Sequence, residues 1–337
     1  MGRSCCSAFV FPRSIMLFML FTLCLHIHMI EKVHAEVVKG INGLDKFVLR
    51  EARGSSAEIY LYGAHVTSWK NACGEELLLL GSKAIFEPPK PIRGGIPICF
   101  PQFSNHGPLD SHGFARNRVW SIDSNPPPFP TSSASKTFVD LILKPSEDDL
   151  KIWPNRFEFR LRIALGPGGE LTMTSRIRNT NTDGKPFTFT FAYHTYYSVS
   201  NISEVRVEGL KTLNYLDNLQ NETRITEQRN AITFQSEVDR IYLSTPTNIS
   251  VLDNGKNRTY VIHKDGLPDT VLWNPWAKAV ADLGVDDYKH MVCVEAAAVE
   301  KPITLNPGED WRGSQEISTV PSSPCSGLPL PRKVLGN

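Results

Sequence analysis

The chain has 337 residues, of which 41% are hydrophobic, 21% charged and 9% aromatic, a mixture that can bury a full core and that excludes a disordered, collagenous or low-complexity chain. Thirty-six Lys and Arg against 35 Asp and Glu leave a formal net charge of +1, so no overall field holds the protein on nucleic acid or anionic lipid, and the expected partner is a small molecule. Seven cysteines are too few for a disulfide scaffold, and Cys73, Cys99, Cys293 and Cys325 show no CxxC pairing with neighbouring histidine, which argues against a structural zinc site.

Residues 1–35 read differently from the rest. Arg3 and Arg13 precede an apolar run from Ile15 to Ile30, and Val33-His34-Ala35 supplies the small or short apolar residues of a cleavage site. This stretch is expected to be a secretory signal cleaved after Ala35, or a signal anchor if it stays uncleaved, and only then would the protein meet a membrane. The alternative is that an upstream start codon or a misread exon has added residues with no targeting role. A run of 16 residues is short of the roughly 20 that a spanning helix needs. Met1-Gly2 begins like a myristoylation signal, but Cys6 stands where Ser or Thr is required. Asn201, Asn221, Asn248 and Asn257 open sequons that would carry glycans only in the secretory pathway.

From Glu36 onward the periodicity is that of strands. In Phe157-Glu-Phe-Arg-Leu-Arg-Ile163 the apolar residues share one face and the charged residues the other, and Phe187-Thr-Phe-Thr-Phe-Ala-Tyr193 alternates in the same way. Further strands are expected at Ala57 to Tyr62, Leu171 to Ile177, Ile232 to Phe234, Thr259 to His263 and Met291 to Val294, punctuated by Gly, Pro, Asn and Asp. Proline lacks the ladder donor, so the proline-rich stretch Asn125 to Ser135 reads as a surface loop. Many short strands imply an all-β sandwich or barrel. The expected organisation is the leader over 1–35, one β domain over 36–320 and a disordered tail over 321–337, in a monomer.

Several segments carry residues that do not serve a core. Pro91-Ile-Arg-Gly-Gly-Ile-Pro97 sets Arg93 before two glycines, which permit a tight backbone and the close approach of a ligand. Ser111-His-Gly-Phe-Ala-Arg116 adds His112 and Arg116 about twenty residues on. Two arginine forks brought together would clamp phosphate or carboxylate oxygens; the other reading is that each pairs with a structural carboxylate or stays solvated. The alternation directs Tyr193 to the apolar face and His194 to the polar face, toward a cleft; a strand histidine becomes useful only with a positioned partner. Glu295, at the end of the apolar Met291-Val-Cys-Val294, is that partner or one half of a structural ion pair, and burial would raise its pKa toward the range of a general base. Asp239 lies in Glu237-Val-Asp-Arg240, which also suits a solvated strand edge, and Trp273 and Trp276 offer aromatic faces to a sugar or to the core.

Together, Gly63-Ala-His-Val-Thr-Ser-Trp69, Arg93-Gly-Gly-Ile-Pro97, His112-Gly-Phe-Ala-Arg116, Tyr193-His-Thr-Tyr196, Leu272-Trp-Asn-Pro-Trp276 and Val294-Glu-Ala296 resemble the aldose 1-epimerase, or galactose mutarotase-like, superfamily and within it the hexose-6-phosphate branch. The resemblance runs from about Val48 to Ile317. It implies a β-supersandwich of two large, mostly antiparallel sheets, and interconversion of sugar anomers without metal or organic cofactor. It further implies His194 as general acid and Glu295 as general base, with Arg93 and Arg116 binding the sugar phosphate. Asp239, His112 and Trp273 would contact substrate. Where the family carries a substrate-binding glutamine this chain has Ser111, whose reach toward a sugar hydroxyl is shorter or bridged by water. The leader points to a secreted or membrane-anchored enzyme, whereas the resemblance points to the cytoplasm. Free sugars as substrates, or a carbohydrate-binding domain without catalysis, are the competing readings.

Overall fold

The computed structural model describes residues 36–127 and 136–321. The expected leader, the expected tail beyond Pro321, and residues 128–135 of the proline-rich loop lie outside them. Among the described residues no helix is long and apolar enough to cross a membrane.

The chain opens with an antiparallel sheet of β1 (Glu36–Lys39), β2 (Asp45–Arg50), β3 (Ser56–Tyr60) and β4 (His65–Lys70). After β5 (Ile98–Cys99) and β6 (Ser121–Ile122) come β7 (Thr137–Leu143), the short helix α1 (Glu147–Ile152), β8 (Phe157–Leu165), β9 (Leu171–Asn179) and β10 (Phe187–Tyr193). Shorter strands follow as β11 (Tyr196–Ser198), β12 (Val205–Glu208), β13 (Asn214–Asp217), β14 (Thr223–Thr226) and β15 (Ala231–Thr233). The last six are β16 (Val238–Tyr242), β17 (Asn248–Asp253), β18 (Arg258–Asp265), β19 (Asp269–Asn274), β20 (Met291–Leu305) and β21 (Asp310–Pro321).

Two large sheets result. One runs β15-β12-β17-β18-β21-β9-β8-β7-β6, the other β14-β13-β16-β19-β20-β10-β5 with β11 beside β20. Every named strand pair in both is antiparallel, and the supersandwich expected from the resemblance is the fold observed. The sheets stack through the apolar faces that the alternation marks out. Phe159 of β8 meets Phe191 of β10 at a ring separation of 6.0 Å, Phe191 meets Trp311 of β21 at 5.0 Å, and the Tyr193 hydroxyl pairs with the Ser175 hydroxyl across the layers at 2.6 Å. These aromatic residues form part of one continuous buried core.

β20 positions the site. It is a 15-residue strand, and the expected Met291–Val294 is only its beginning, because the alanines that follow keep both faces small enough to stay covered. Val292, Val294, Ala296 and Ala298 enter the main core. Met291, Cys293, Ala297 and Val299 point the other way and join two smaller apolar clusters. Glu295 belongs by period two to this second face. It therefore lies in the interior of a buried strand rather than at its end, on the side of the sheet facing away from the sandwich.

Candidate active site

The strand register brings the polar residues of this second face together. β10 pairs Tyr193 with Ala296, so continuing by one residue sets His194 against Glu295. β11 pairs Tyr196 with Cys293, β19 pairs Val271 with Glu295 and Trp273 with Cys293, and β16 pairs Asp239 with Trp273. His194, Tyr196, Trp273, Asp239 and Glu295 thus share one patch of sheet. The aromatic rings enclose the histidine: Tyr196 stacks on it with ring centroids 4.7 Å apart and planes 13° apart, while Trp273 meets it edge-on at 5.8 Å.

His194 Nδ1 lies 3.2 Å from Glu295 Oε1, with neither Nδ1 nor the second carboxylate oxygen, Oε2, in an aligned hydrogen bond. Glu295 is 1% exposed and His194 5%. Burial, followed by the negative charge of Asp239, raises Glu295 well above the carboxylate range. Burial, followed by His112, Arg93 and Arg116, pushes His194 well below the ordinary imidazole value.

The segment between β4 and β6 supplies the remaining groups. Arg93 donates from Nε to Asp282 Oδ1 at 2.9 Å and from Nη1 to the Tyr196 hydroxyl at 3.1 Å. Burial works against its charge, but Tyr196 and Asp282 outweigh that and hold its pKa above the ordinary value. Arg116 lies in a 3-10 turn, Ala115–Asn117, and donates from Nη2 to the Ser111 carbonyl at 2.7 Å; its Nε is buried without a partner. Burial lowers Arg116, and the charge of Arg93 adds to this. Two positive charges are held close, partly desolvated, with donors to spare, which is the arrangement an anion satisfies.

His112 sits at φ 66° in a turn that continues into Gly113 at φ 67°. Its Nδ1 accepts the Ser104 backbone N–H at 3.1 Å and lies 3.1 Å from Cys99 Sγ, so the ring proton is assigned to Nε2. Burial, then Arg116 and Arg93, push His112 down to about 3, which keeps it a neutral donor. Asp239 accepts from Asn218 Nδ2 at 2.7 Å and its pKa is raised by burial. It lines a cleft of about 540 Å³ together with Ser104, Asn105, His106, Asn218, Asn221 and Glu222.

Most of the candidates therefore converge. His194, Glu295 and Tyr196 form the buried centre with the half-buried Trp273 beside it, and Arg93 and Arg116 carry its positive charge. Ser111 is placed beside Arg116, whose Nη2 its backbone carbonyl holds. The glycine pair gives the tight backbone expected of it, at φ 93° and 63°. A Cβ on Gly94 would come within 2.4 Å of the Leu79 carbonyl oxygen, and one on Gly95 within 2.2 Å of that of Val66, so both glycines admit neighbouring backbone. Tyr196 and Asp282 join the site in addition to the residues expected from the sequence. Tyr196 had a signal, two residues beyond His194 on the same face; Asp282, 189 residues from Arg93, had none.

The chain matches the aldose 1-epimerase family over residues 45–318. It is 66% identical over 304 residues to a provisionally named glucose-6-phosphate 1-epimerase of Cenchrus ciliaris, covering 89% of this chain and 92% of the relative. It is 33% identical over 250 residues to a protein of the same provisional name from Escherichia coli (strain K12), covering 72% and 79% respectively. The crystal structure of a provisionally named mutarotase from Salmonella typhimurium superposes with a TM-score of 0.73 at 26% identity, over 91% of this chain and 99% of that one. The match to the family, the similarity along most of the chain and the shared architecture together make this protein a member of the aldose 1-epimerase family, built on the galactose mutarotase-like fold.

Proposed function

We propose that the protein interconverts the α and β anomers of an aldohexose 6-phosphate, with glucose 6-phosphate the substrate suggested by the names of its relatives, by acid- and base-catalysed ring opening and reclosure. The observation that carries this reading is the buried pair His194 and Glu295, 3.2 Å apart, beside two arginines with unspent donors. Glu295 Oε2 takes the proton of the C1 hydroxyl while His194, through Nε2, gives a proton to the ring oxygen. The bond between C1 and the ring oxygen breaks, leaving the open-chain aldehyde. Rotation about the bond from C1 to C2 presents the other carbonyl face. On closure the former ring hydroxyl returns its proton to His194, and Glu295 gives its proton to the oxygen on C1. Nothing is consumed and the proton inventory of the pair is restored.

Burial draws both groups toward neutrality, so in the free site their shared proton rests on the carboxyl. Passing it to His194 creates the carboxylate and imidazolium that the opening step uses. Arg93 and Arg116 hold the phosphate, and His112 and Asp239 serve the sugar hydroxyls. Two-dimensional exchange NMR on glucose 6-phosphate and on glucose tests the reading. Acceleration by the wild type that is lost on Glu295→Gln supports it; equal rates with and without folded protein overturn it.

A further inference from the structure

Arg93 and His194 are joined through one side chain. Tyr196 accepts a hydrogen bond from Arg93 Nη1 at 3.1 Å, and its ring lies flat against His194 at 4.7 Å and 13°. Tyr196 is fully buried, with Trp273 edge-on at 6.0 Å on another side, so its ring cannot move without disturbing the histidine. Asp282 fixes the guanidinium from its Nε edge. Of the five N–H groups of an arginine, one is spent on Asp282 and one on Tyr196, which leaves the others for an anion.

We infer that Tyr196 is a positioning residue coupling the anion clamp to the proton-transfer pair, so that the substrate's own phosphate, in occupying Arg93, brings His194 into its working state. The phosphate then contributes to turnover as well as to binding. This rests on the proposed use of a sugar phosphate. It is an instance of binding energy from a remote, non-reacting group being realised at the reacting centre. The charges around His194 act in the same direction. The groups facing it are His112, Arg93, Arg116, Tyr196, Trp273 and Glu295, and the first three of these oppose its protonation. A phosphate dianion offsets both arginines and so removes their share of that opposition.

The test separates the phosphate from the sugar. Anomer exchange in glucose is measured with and without inorganic phosphite dianion, alongside exchange in glucose 6-phosphate, for the wild type and Tyr196→Phe. Phosphite is expected to accelerate glucose exchange by the wild type about tenfold or more. Tyr196→Phe, which keeps the ring and removes the hydroxyl, should lower kcat on glucose 6-phosphate about tenfold with KM within about threefold, and should abolish the phosphite activation. Phosphite that competes with glucose 6-phosphate yet leaves glucose exchange unchanged overturns the inference, as does a Tyr196→Phe protein that raises KM alone. Those results leave the epimerase reading standing. Failure of the wild type to accelerate exchange in glucose 6-phosphate itself removes that reading, and the coupling with it.

Discussion

Oε1 of Glu295 lies 3.2 Å from Nδ1 of His194 because Glu295 is on β20 and His194 directly follows β10, the strand paired with it. One register therefore sets the distance between an imidazole and a carboxyl 101 residues apart in the chain. Both are buried, in surroundings where small changes of charge decide where a proton rests.

Glu295→Gln keeps the volume of the side chain and removes its ability to take a proton. Anomer exchange in glucose 6-phosphate should fall by about two to four orders of magnitude, while near-ultraviolet circular dichroism stays that of the wild type. Activity within tenfold of wild type in a folded protein would exclude Glu295 as the base.

Stability should respond to the same substitution with a definite sign. Glu295 titrates higher folded than unfolded, so the folded state holds the extra proton. Its contribution is fully present below the ordinary carboxylate range and is lost as pH rises through the raised folded value. The urea midpoint of Glu295→Gln relative to wild type should therefore increase with pH above about 4.5. A difference that is flat with pH would mean that Glu295 is ionised in the folded protein.

The buried histidines give the opposite slope. Burial, opposed by the Gly94 carbonyl, which accepts from Nε2 at 2.7 Å, sets His65 at about 4, and His112 falls to about 3. Both lie below the unfolded imidazole value of about 6.5. Their contribution is present above that value and is lost as pH falls through it toward the folded values, because the unfolded chain takes up the protons first. Denaturant midpoints should decline between about pH 6.5 and 4, and His112→Asn should make that decline shallower.

Arg116→Ala should weaken the hold on phosphate and leave the proton-transfer pair in place. KM for glucose 6-phosphate is expected to rise by about one to two orders of magnitude, from the loss of charge-assisted hydrogen bonds, and inhibition by inorganic phosphate should weaken in parallel. Exchange in free glucose should not fall by the same NMR measurement, because removing the Arg116 charge also removes part of what opposes protonation of His194.

Gly95→Ala should damage the fold before it touches the chemistry. Its φ is 63°, and the new Cβ would meet the Val66 carbonyl oxygen at 2.2 Å. A loss of at least about 2 kcal/mol is expected, visible as a lower thermal midpoint.

The amino-acid order by itself determined which residues face which way. Period-two alternation is a local property of extended backbone, so Phe157 to Ile163 and Phe187 to Tyr193 declared their buried faces, and His194 was assigned to the face opposite Tyr193. The motifs that resemble the family mark out His112, Arg116 and Glu295 as further candidates. Alternation carries no information about which distant strand lies alongside, nor about what a loop tens of residues away will touch. The true length of β20, the backbone packing behind Gly94 and Gly95, and the use of the Ser111 carbonyl were decided by the tertiary structure. So was the chain of contacts from Asp282 through Arg93 and Tyr196 to His194. Those relationships arise only when two sheets bury their common core and fix the register between strands, since a shift of one residue would turn Glu295 into that core and carry Ala296 to the opposite face of the sheet.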